Sequence, residues 1–147
     1  MKFMIKSDCF IDTNIWVYAL LEAASNPDKQ QAALALLRNL PPAVSINVSA
    51  QVINEFHWTL TRKYRLAADV VYDKAINGIV AVASAVLPLE LTTYLEASGI
   101  RERYTFSFWD SLIVASSLQA GCTTLYTEDL NHGLIVDKKL HIVNPFH

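Results

Sequence analysis

Apolar positions along this chain recur at two different periods, and their alternation predicts strands and helices in turn. The short apolar run Cys9-Phe10-Ile11 ends at Asp12, and Ile15, Trp16, Ala19 and Leu20 then recur at helical spacing, so a strand runs straight into a helix. Asn26-Pro27-Asp28 breaks that pattern. Pro27 suits the first turn of a second helix, which continues through Ala32 and Leu37 until Pro41-Pro42 stops it. Val44-Ser45-Ile46-Asn47-Val48 alternates as a strand does. Ser49 stands where a helix N-cap belongs, ahead of the stripe Val52, Ile53, Phe56, Leu60 and Tyr64, with Arg62, Lys63 and Arg65 in the closing turns.

The same reading predicts a helix from Ala67 to Ala83, a strand at Ala85-Val86-Leu87 and, beyond Pro88, a helix from about Glu90 to Arg103. Ser107 can cap a strongly apolar helix from Phe108 to Ala120 that Gly121 ends. Strands at Thr123 to Tyr126 and Leu140 to Val143 follow, the last stopped by Asn144-Pro145. Short, mostly apolar strands separated by helices predict an α/β fold: a parallel sheet buried on both faces, in a three-layer α/β/α sandwich with right-handed crossovers.

Composition narrows this further. With 147 residues, 52% hydrophobic and 18% charged, the chain is expected to form a single domain over residues 1–147 with a real core, and it shows no internal repeat or linker. A formal charge of -2 supplies no overall basic field, so any nucleic-acid contact must be local or bridged by metal. Cys9 and Cys122 each lie in an apolar stretch and read as buried thiols of a reducing compartment, not a disulfide framework. The opening MKFMIKSDCFIDTN reaches Asp12 before any apolar run long enough for a signal segment, and no stretch approaches a membrane span. A soluble, cytoplasmic protein with no membrane partner is therefore expected.

The acids fall where open parallel sheets bind ligands, beyond the carboxyl ends of the strands. Asp12 follows the first strand directly and Asp129 follows the fourth by three residues. Asp110 lies in the first turn of the helix feeding that fourth strand, and Glu55 about two turns into the helix after the second. Each aspartate alone admits a local explanation: Asp12 as a helix cap, Asp129 in a turn before Gly133, Asp110 in a box-like pairing with Ser107. Glu55 is too deep in its helix to cap it. Several carboxylates converging on one sheet edge would repel one another unless a cation neutralised them, and an acid cluster without histidine or cysteine suits Mg²⁺ or Mn²⁺ rather than zinc. His57, His132, His141 and His147 show no ligand spacing among themselves and read as surface or packing residues, with His132, near Asp129, kept open.

Four segments resemble, in order and over nearly the whole chain, the successive motifs of PIN domains: Phe10-Ile11-Asp12-Thr13-Asn14, Val52-Ile53-Asn54-Glu55-Phe56, Trp109-Asp110-Ser111-Leu112-Ile113-Val114-Ala115 and Tyr126-Thr127-Glu128-Asp129-Leu130. The likeness is greatest to bacterial VapC-type toxins, which the ending His141-Ile142-Val143-Asn144-Pro145-Phe146 also resembles. What the resemblance implies is a five-stranded, mainly parallel sheet and a Mg²⁺- or Mn²⁺-dependent endoribonuclease site of Asp12, Glu55, Asp110 and Asp129, with Asn14 and Thr127 as accessory polar residues. It also implies an RNA substrate, a VapB-type antitoxin covering the site and pairing of the chain with itself. Many PIN domains carry an aromatic residue three positions after the last aspartate, where this chain has His132.

For RNA, the candidate cations are Arg62-Lys63-x-Arg65 and Arg101-x-Arg103, which could equally answer helix C-terminal dipoles. Trp109 is expected in the core, whereas Trp16 and Trp58 stay open between core packing and stacking on unpaired bases. Apolar surfaces around Trp16-Val17-Tyr18 and Phe56-His57-Trp58 are where an antitoxin helix would be expected to dock. Two other readings compete. A haloacid-dehalogenase-like phosphatase also begins with a strand ending in aspartate, but its second acid is replaced here by Asn14. A catalytically silent PIN-like binding module would be favoured by loss of one acid, and all four are present.

Overall fold

The strands and helices expected from the sequence appear in their expected order in a computed structural model that describes residues 8–21 and 26–147. The opening segment on which the leader expectation rests therefore lies largely outside the described residues. The strands are β1 (Cys9–Ile11), β2 (Ile46–Ser49), β3 (Ala85–Leu87), β4 (Thr124–Tyr126), β5 (Ile135–Val136) and β6 (Leu140–Val143), arranged β3-β2-β1-β4-β6-β5. All neighbours are parallel except β5, which runs antiparallel to β6.

The sheet thus has six strands where five are expected. The extra strand is two residues long, too short to show alternation, and it joins β6 through Asp137-Lys138, both at positive φ (50° and 59°), the geometry of a type I′ hairpin turn. That turn lacks the glycine that usually marks it. Tertiary contacts hold it instead: the Tyr104 hydroxyl donates to Asp137 Oδ1 at 3.1 Å and accepts from the Asp137 amide at 2.8 Å, and Arg103 pairs with Asp137 Oδ2 at 2.9 Å.

The helices are α1 (Thr13–Leu20), α2 (Pro27–Asn39), α3 (Ala50–Trp58), α4 (Ala68–Lys74), α5 (Leu91–Tyr104) and α6 (Phe108–Gln119); α3 runs on into a π-helical turn over Thr59–Lys63, and α4 into another over Ala75–Val80. Helices α1 to α4 pack with one another, whereas α5 packs on α6 and α6 lies against β2 and β4, which gives the three layers. Phe10, Ile11, Val48, Leu125 and Ile142 from the strands meet Ile15, Trp16, Phe56 and Leu60 from one helical layer and Ile100 and Val114 from the other, all at zero exposure.

Local chemistry sets the boundaries. The Asn26 side chain accepts from the Lys29 amide ahead of α2, and Ser107 Oγ accepts from the Asp110 amide at the start of α6. Gly121, at φ 72°, takes the left-handed position that ends α6, its amide donating to the Leu118 carbonyl. Ser49 occupies the N-cap position of α3 as expected, but its hydroxyl makes no cap bond: the residue is fully buried in the sheet and Oγ has no partner among the described residues. Cys9 and Cys122 are free and buried, and burial pushes their thiols up to about 11 and about 12, so both are inert packing groups. Among the described residues no helix is long and apolar enough to cross a membrane.

The topology positions the site. From β1 the chain winds outward through β2 to β3, then returns through α5 and α6 to β4 on the other side of β1. The direction of winding reverses between β1 and β4, and the crevice beyond their carboxyl ends is where such sheets bind ligands.

Candidate acidic site

Asp12 leaves the carboxyl end of β1, its amide donating to the Tyr126 carbonyl of β4 at 3.0 Å, and serves as the N-cap of α1. The structural explanation for this residue is therefore correct, yet it uses only one carboxylate oxygen: Oδ1 accepts from the Thr13 amide at 2.7 Å, while Oδ2 accepts from Thr127 Oγ1 at 2.8 Å. Burial raises the Asp12 carboxyl to about 7, with the nearby Asp129 and Glu55 charges adding to the rise and the two hydrogen bonds opposing it. Thr127, fully buried, also accepts from the Asp129 amide at 3.1 Å, so a single hydroxyl links the first and last acids.

The other acids come from three further elements. Glu55 projects from α3, with Oε2 accepting from Thr13 Oγ1 at 3.0 Å and Oε1 from Gln51 Nε2 at 2.9 Å. Asp129 Oδ2 accepts from Asn14 Nδ2 at 3.0 Å. Its carboxyl is raised by partial burial and by repulsion from Asp110, Glu128 and Glu55. Asp110, in the first turn of α6, is raised by burial, against the hydrogen bond from the Ser107 region. The structure thus brings together all six residues singled out from the sequence: Asp12, Glu55, Asp110 and Asp129 with Asn14 and Thr127. It ties five of them into one hydrogen-bonded chain, and Asp110 joins through its field at Asp129.

A hard divalent cation fits this set chemically. The donors are all oxygens, the Asp12, Asp110 and Asp129 carboxyls are raised, chiefly by burial, and Asn14 Oδ1 is a buried acceptor with no partner among the described residues. As placed, no three acid, histidine or cysteine side chains among the described residues stand close enough to grip one ion together. Mg²⁺ does not require that, since it keeps several waters and binds through one or two carboxylates.

Four residues that hold the acids in place were given no such role by the sequence. Thr13 and Gln51 hold both oxygens of Glu55, and Gln51, four residues before Glu55 on the same helix face, could have been found from that spacing. Lys29 pairs with Glu128 at 2.8 Å, and Tyr18 donates to the same carboxylate at 2.7 Å, which anchors the residue next to Asp129. No local pattern connects Lys29 to Glu128, 99 residues apart.

The aromatic and basic expectations divide. Trp16 is core, at zero exposure, with Nε1 donating to the Ile11 carbonyl at 3.2 Å. Trp109, expected in the core, is instead 61% exposed, because the face of α6 that packs inward is the one carrying Leu112, Ile113 and Val114. Trp58 is 62% exposed. The expected docking surface around Trp16-Val17-Tyr18 is buried at Trp16 and Val17, and of Phe56-His57-Trp58 only Trp58 is exposed. Arg62 lies over the Trp58 ring, and Lys63 lines a groove of about 340 Å³ with Thr13, Asn14, Glu55, Trp58 and Asp129, so Lys63 borders the acids and Arg62 stands behind it on Trp58. Arg103 is engaged by Asp137. His132 stacks on His147 at 4.3 Å between ring centroids and takes the Asn144 amide on Nδ1.

Residues 9–135 match the PIN domain family model, and the chain belongs to the PIN-domain family. That assignment sets aside the dehalogenase-like phosphatase. The fold is similar to FitAcB of Neisseria gonorrhoeae, at 19% identity and TM-score 0.66 over 95% of this chain and 99% of that one. It is also similar to VapC20 of Mycobacterium tuberculosis, described as a sarcin-ricin loop cleaving toxin, at 21% identity and TM-score 0.65 over 82% and 91%. A third likeness is to VapBC2 of Rickettsia felis bound to a promoter DNA fragment, at 15% identity and TM-score 0.63 over 93% and 99%. No curated protein matches the chain in sequence.

Proposed function

We propose that this chain is a single-domain, metal-dependent endoribonuclease of the cytoplasm, the toxin of a VapBC-type pair, with Asp12, Glu55, Asp110 and Asp129 as its catalytic acids. The observation that carries this reading is a buried aspartate raised to about 7 at the switch point of the sheet, tied through Thr127 and Asn14 to a second acid and through Thr13 to a third. Acids arranged in this way lower the stability of the fold, as expected of a site built for a cation.

Asp12 and Asp110 would hold Mg²⁺ or Mn²⁺. When bound, the ion supplies Lewis acidity at the scissile phosphate and makes water more acidic. Glu55 and Asp129 orient the attacking water and take its proton, and no covalent intermediate with the protein is needed. Thr13 and Gln51 keep the Glu55 carboxylate in one rotamer, and Thr127 does the same for Asp12. Lys63 at the margin of the acids, with Arg62 behind it, supplies the local positive charge that a net charge of -2 denies to the molecule as a whole. The toxin assignment and a VapB-type antitoxin partner are supported by the family match and by the fold shared with VapC20 and VapBC2; self-pairing of the chain is part of the same proposal.

The test is cleavage of a mixed set of structured and single-stranded RNAs, with Mg²⁺, with Mn²⁺ and with EDTA, by the protein freed of any copurifying partner. Cleavage that needs metal and falls more than about 100-fold in Asp110→Asn is expected, since even the outer partners of a metal ligand are worth 10- to 100-fold. Equal cutting by the variant, or none by the wild type, would remove the nuclease reading in favour of a silent binding module.

A further inference from the structure

A recess of about 150 Å³ lies where the end of β3, the start of α5 and the end of α6 meet, and it shares no lining residue with the groove that holds the acids. Leu87, Pro88 and Ala120 give it apolar walls, while Glu90, Thr93, Ser116 and Gln119 supply its polar groups. Thr93 and Ser116 are almost wholly buried and form its inner part; Glu90, Pro88 and Gln119 are exposed and form its rim. At roughly 30 Å³ for each water-sized group, it has room for five heavy atoms.

The Ser116 hydroxyl is what calls for a ligand. Ser111 and Ser117, on the same helix, each donate to the carbonyl four residues back, at 2.7 and 2.8 Å, the usual recourse of a serine inside a helix. Ser116 Oγ makes no such bond and has no partner among the described residues, although the residue is only 2% exposed. A buried hydroxyl without a partner is unfavourable until a bound group completes it. Its neighbours are already arranged: Thr93 Oγ1 accepts from the Glu90 amide at 3.3 Å and donates to Gln119 Oε1 at 2.8 Å. What stays open is acceptor capacity, on the Ser116 hydroxyl, on the second lone pair of Gln119 Oε1 and on the Glu90 carboxylate.

Charge selects the ligand. Glu90 is the one charged side chain among the described residues that line the recess. The negative end of α6 and the positive end of α5 meet there and offset one another. The Thr93 and Tyr94 amides at the start of α5 are already bonded to the Glu90 carbonyl, at 2.9 and 3.4 Å, and so are not free to cradle an anion. We propose that the recess binds a primary alkylammonium group, with its hydrocarbon stem against Leu87, Pro88 and Ala120 and its N–H groups on Ser116, Gln119 and Glu90. Such a group has one donor for each of the three open acceptors. A hydrated metal ion would leave the apolar walls unused, and an anion would face the Glu90 carboxylate. A free diamine and the lysine of another protein both present an alkylammonium, and the inference stands apart from the nuclease reading.

The probe is n-butylammonium, titrated into the whole protein near neutral pH while backbone amide resonances are followed by NMR. Saturable shifts at Thr93, Ser116 and Gln119 are expected. Butanol, of the same shape, should bind about tenfold or more weakly for want of the charge, and butyrate should not bind. Glu90→Gln keeps the shape of the rim, and Ser116→Ala removes a hydroxyl that nothing in the fold uses, so both variants should keep the rest of the amide spectrum in place. Each is expected to weaken the amine by about tenfold. Diaminobutane binding more tightly than the monoamine would assign the site to free polyamines, and a lysine blocked at both backbone ends binding as the monoamine does would assign it to a protein side chain; either result supports the ammonium site. Equal binding of butanol and butylammonium, shifts confined to residues outside the recess, or undiminished binding in both variants overturns the proposal.

Discussion

Asp12→Asn is expected to lose metal-dependent RNA cleavage by more than about 100-fold and, in the same protein, to raise the melting temperature measured without metal. The two effects have one cause. Asparagine can still accept from the Thr13 amide, and its own amide can donate to the Thr127 hydroxyl, so the buried position stays hydrogen-bonded while the charge is gone. The carboxyl of Asp12 ionises near 3.8 when unfolded and near 7 when folded. Between those values the folded form holds the extra proton, so unfolding releases it and wild-type stability falls as pH rises across that window. The full penalty is present above pH 7 and amounts to roughly 4 kcal/mol at most.

Thermal unfolding in EDTA should therefore show the variant ahead by several degrees near pH 8, with the gap narrowing toward pH 4. Mg²⁺ or Mn²⁺ should raise the wild type and leave the variant nearly unmoved, because a ligand stabilises only the folded form that binds it. A gap that stays constant with pH would show that Asp12 is ordinarily ionised in the fold and would remove the electrostatic account of the site.

Trp16→Ala should have the largest effect on stability, a loss of about 3–5 kcal/mol read from the urea midpoint. The ring is wholly buried between α1 and the sheet, and its Nε1 satisfies the Ile11 carbonyl at the end of β1. Since domains of this kind are stable by only about 5–15 kcal/mol, the variant would be close to unfolding at ambient temperature. Trp58→Ala and Trp109→Ala, at exposed positions, should each change stability by no more than about 0.5 kcal/mol. That contrast separates the one structural tryptophan from the two exposed ones, and a large loss at Trp58 or Trp109 would mean that their rings are buried in solution.

Much of the architecture was legible because its signals are local. Cys9-Phe10-Ile11 is apolar on both faces, as a central parallel strand must be, and Pro27, Ser107 and Gly121 mark helix ends through their own backbone chemistry. The four acids could be picked out because each follows a recognisable strand or sits on a recognisable helix at a motif position. The two-residue strand Ile135–Val136 could not, since its turn carries Asp137-Lys138 in the left-handed region without glycine and depends on Tyr104 and Arg103 from a distant helix. Trp109 was misplaced because a strongly apolar helix offers no polar face by which to tell the packed side from the free one.

From the sequence alone follow the order and type of the main elements, the layered α/β class, the identity of the six polar residues at the site and the family to which the chain belongs. The elements and the fold class depend on periodicity and backbone preference, the four acids on their places after strands and on helices, and Asn14, Thr127 and the family on the resemblance of four segments to PIN-domain motifs, all of which are written along the chain. Tertiary structure alone decided that Thr127 links Asp12 to Asp129, that Gln51 and Thr13 hold Glu55, that Lys29 and Tyr18 secure Glu128, and that Trp58 and Trp109 face solvent beside the acids. The physical reason is common to all of them. Hydrogen bonds and burial between residues far apart in sequence depend on distances that exist only once the sheet has formed and the helices have packed on it.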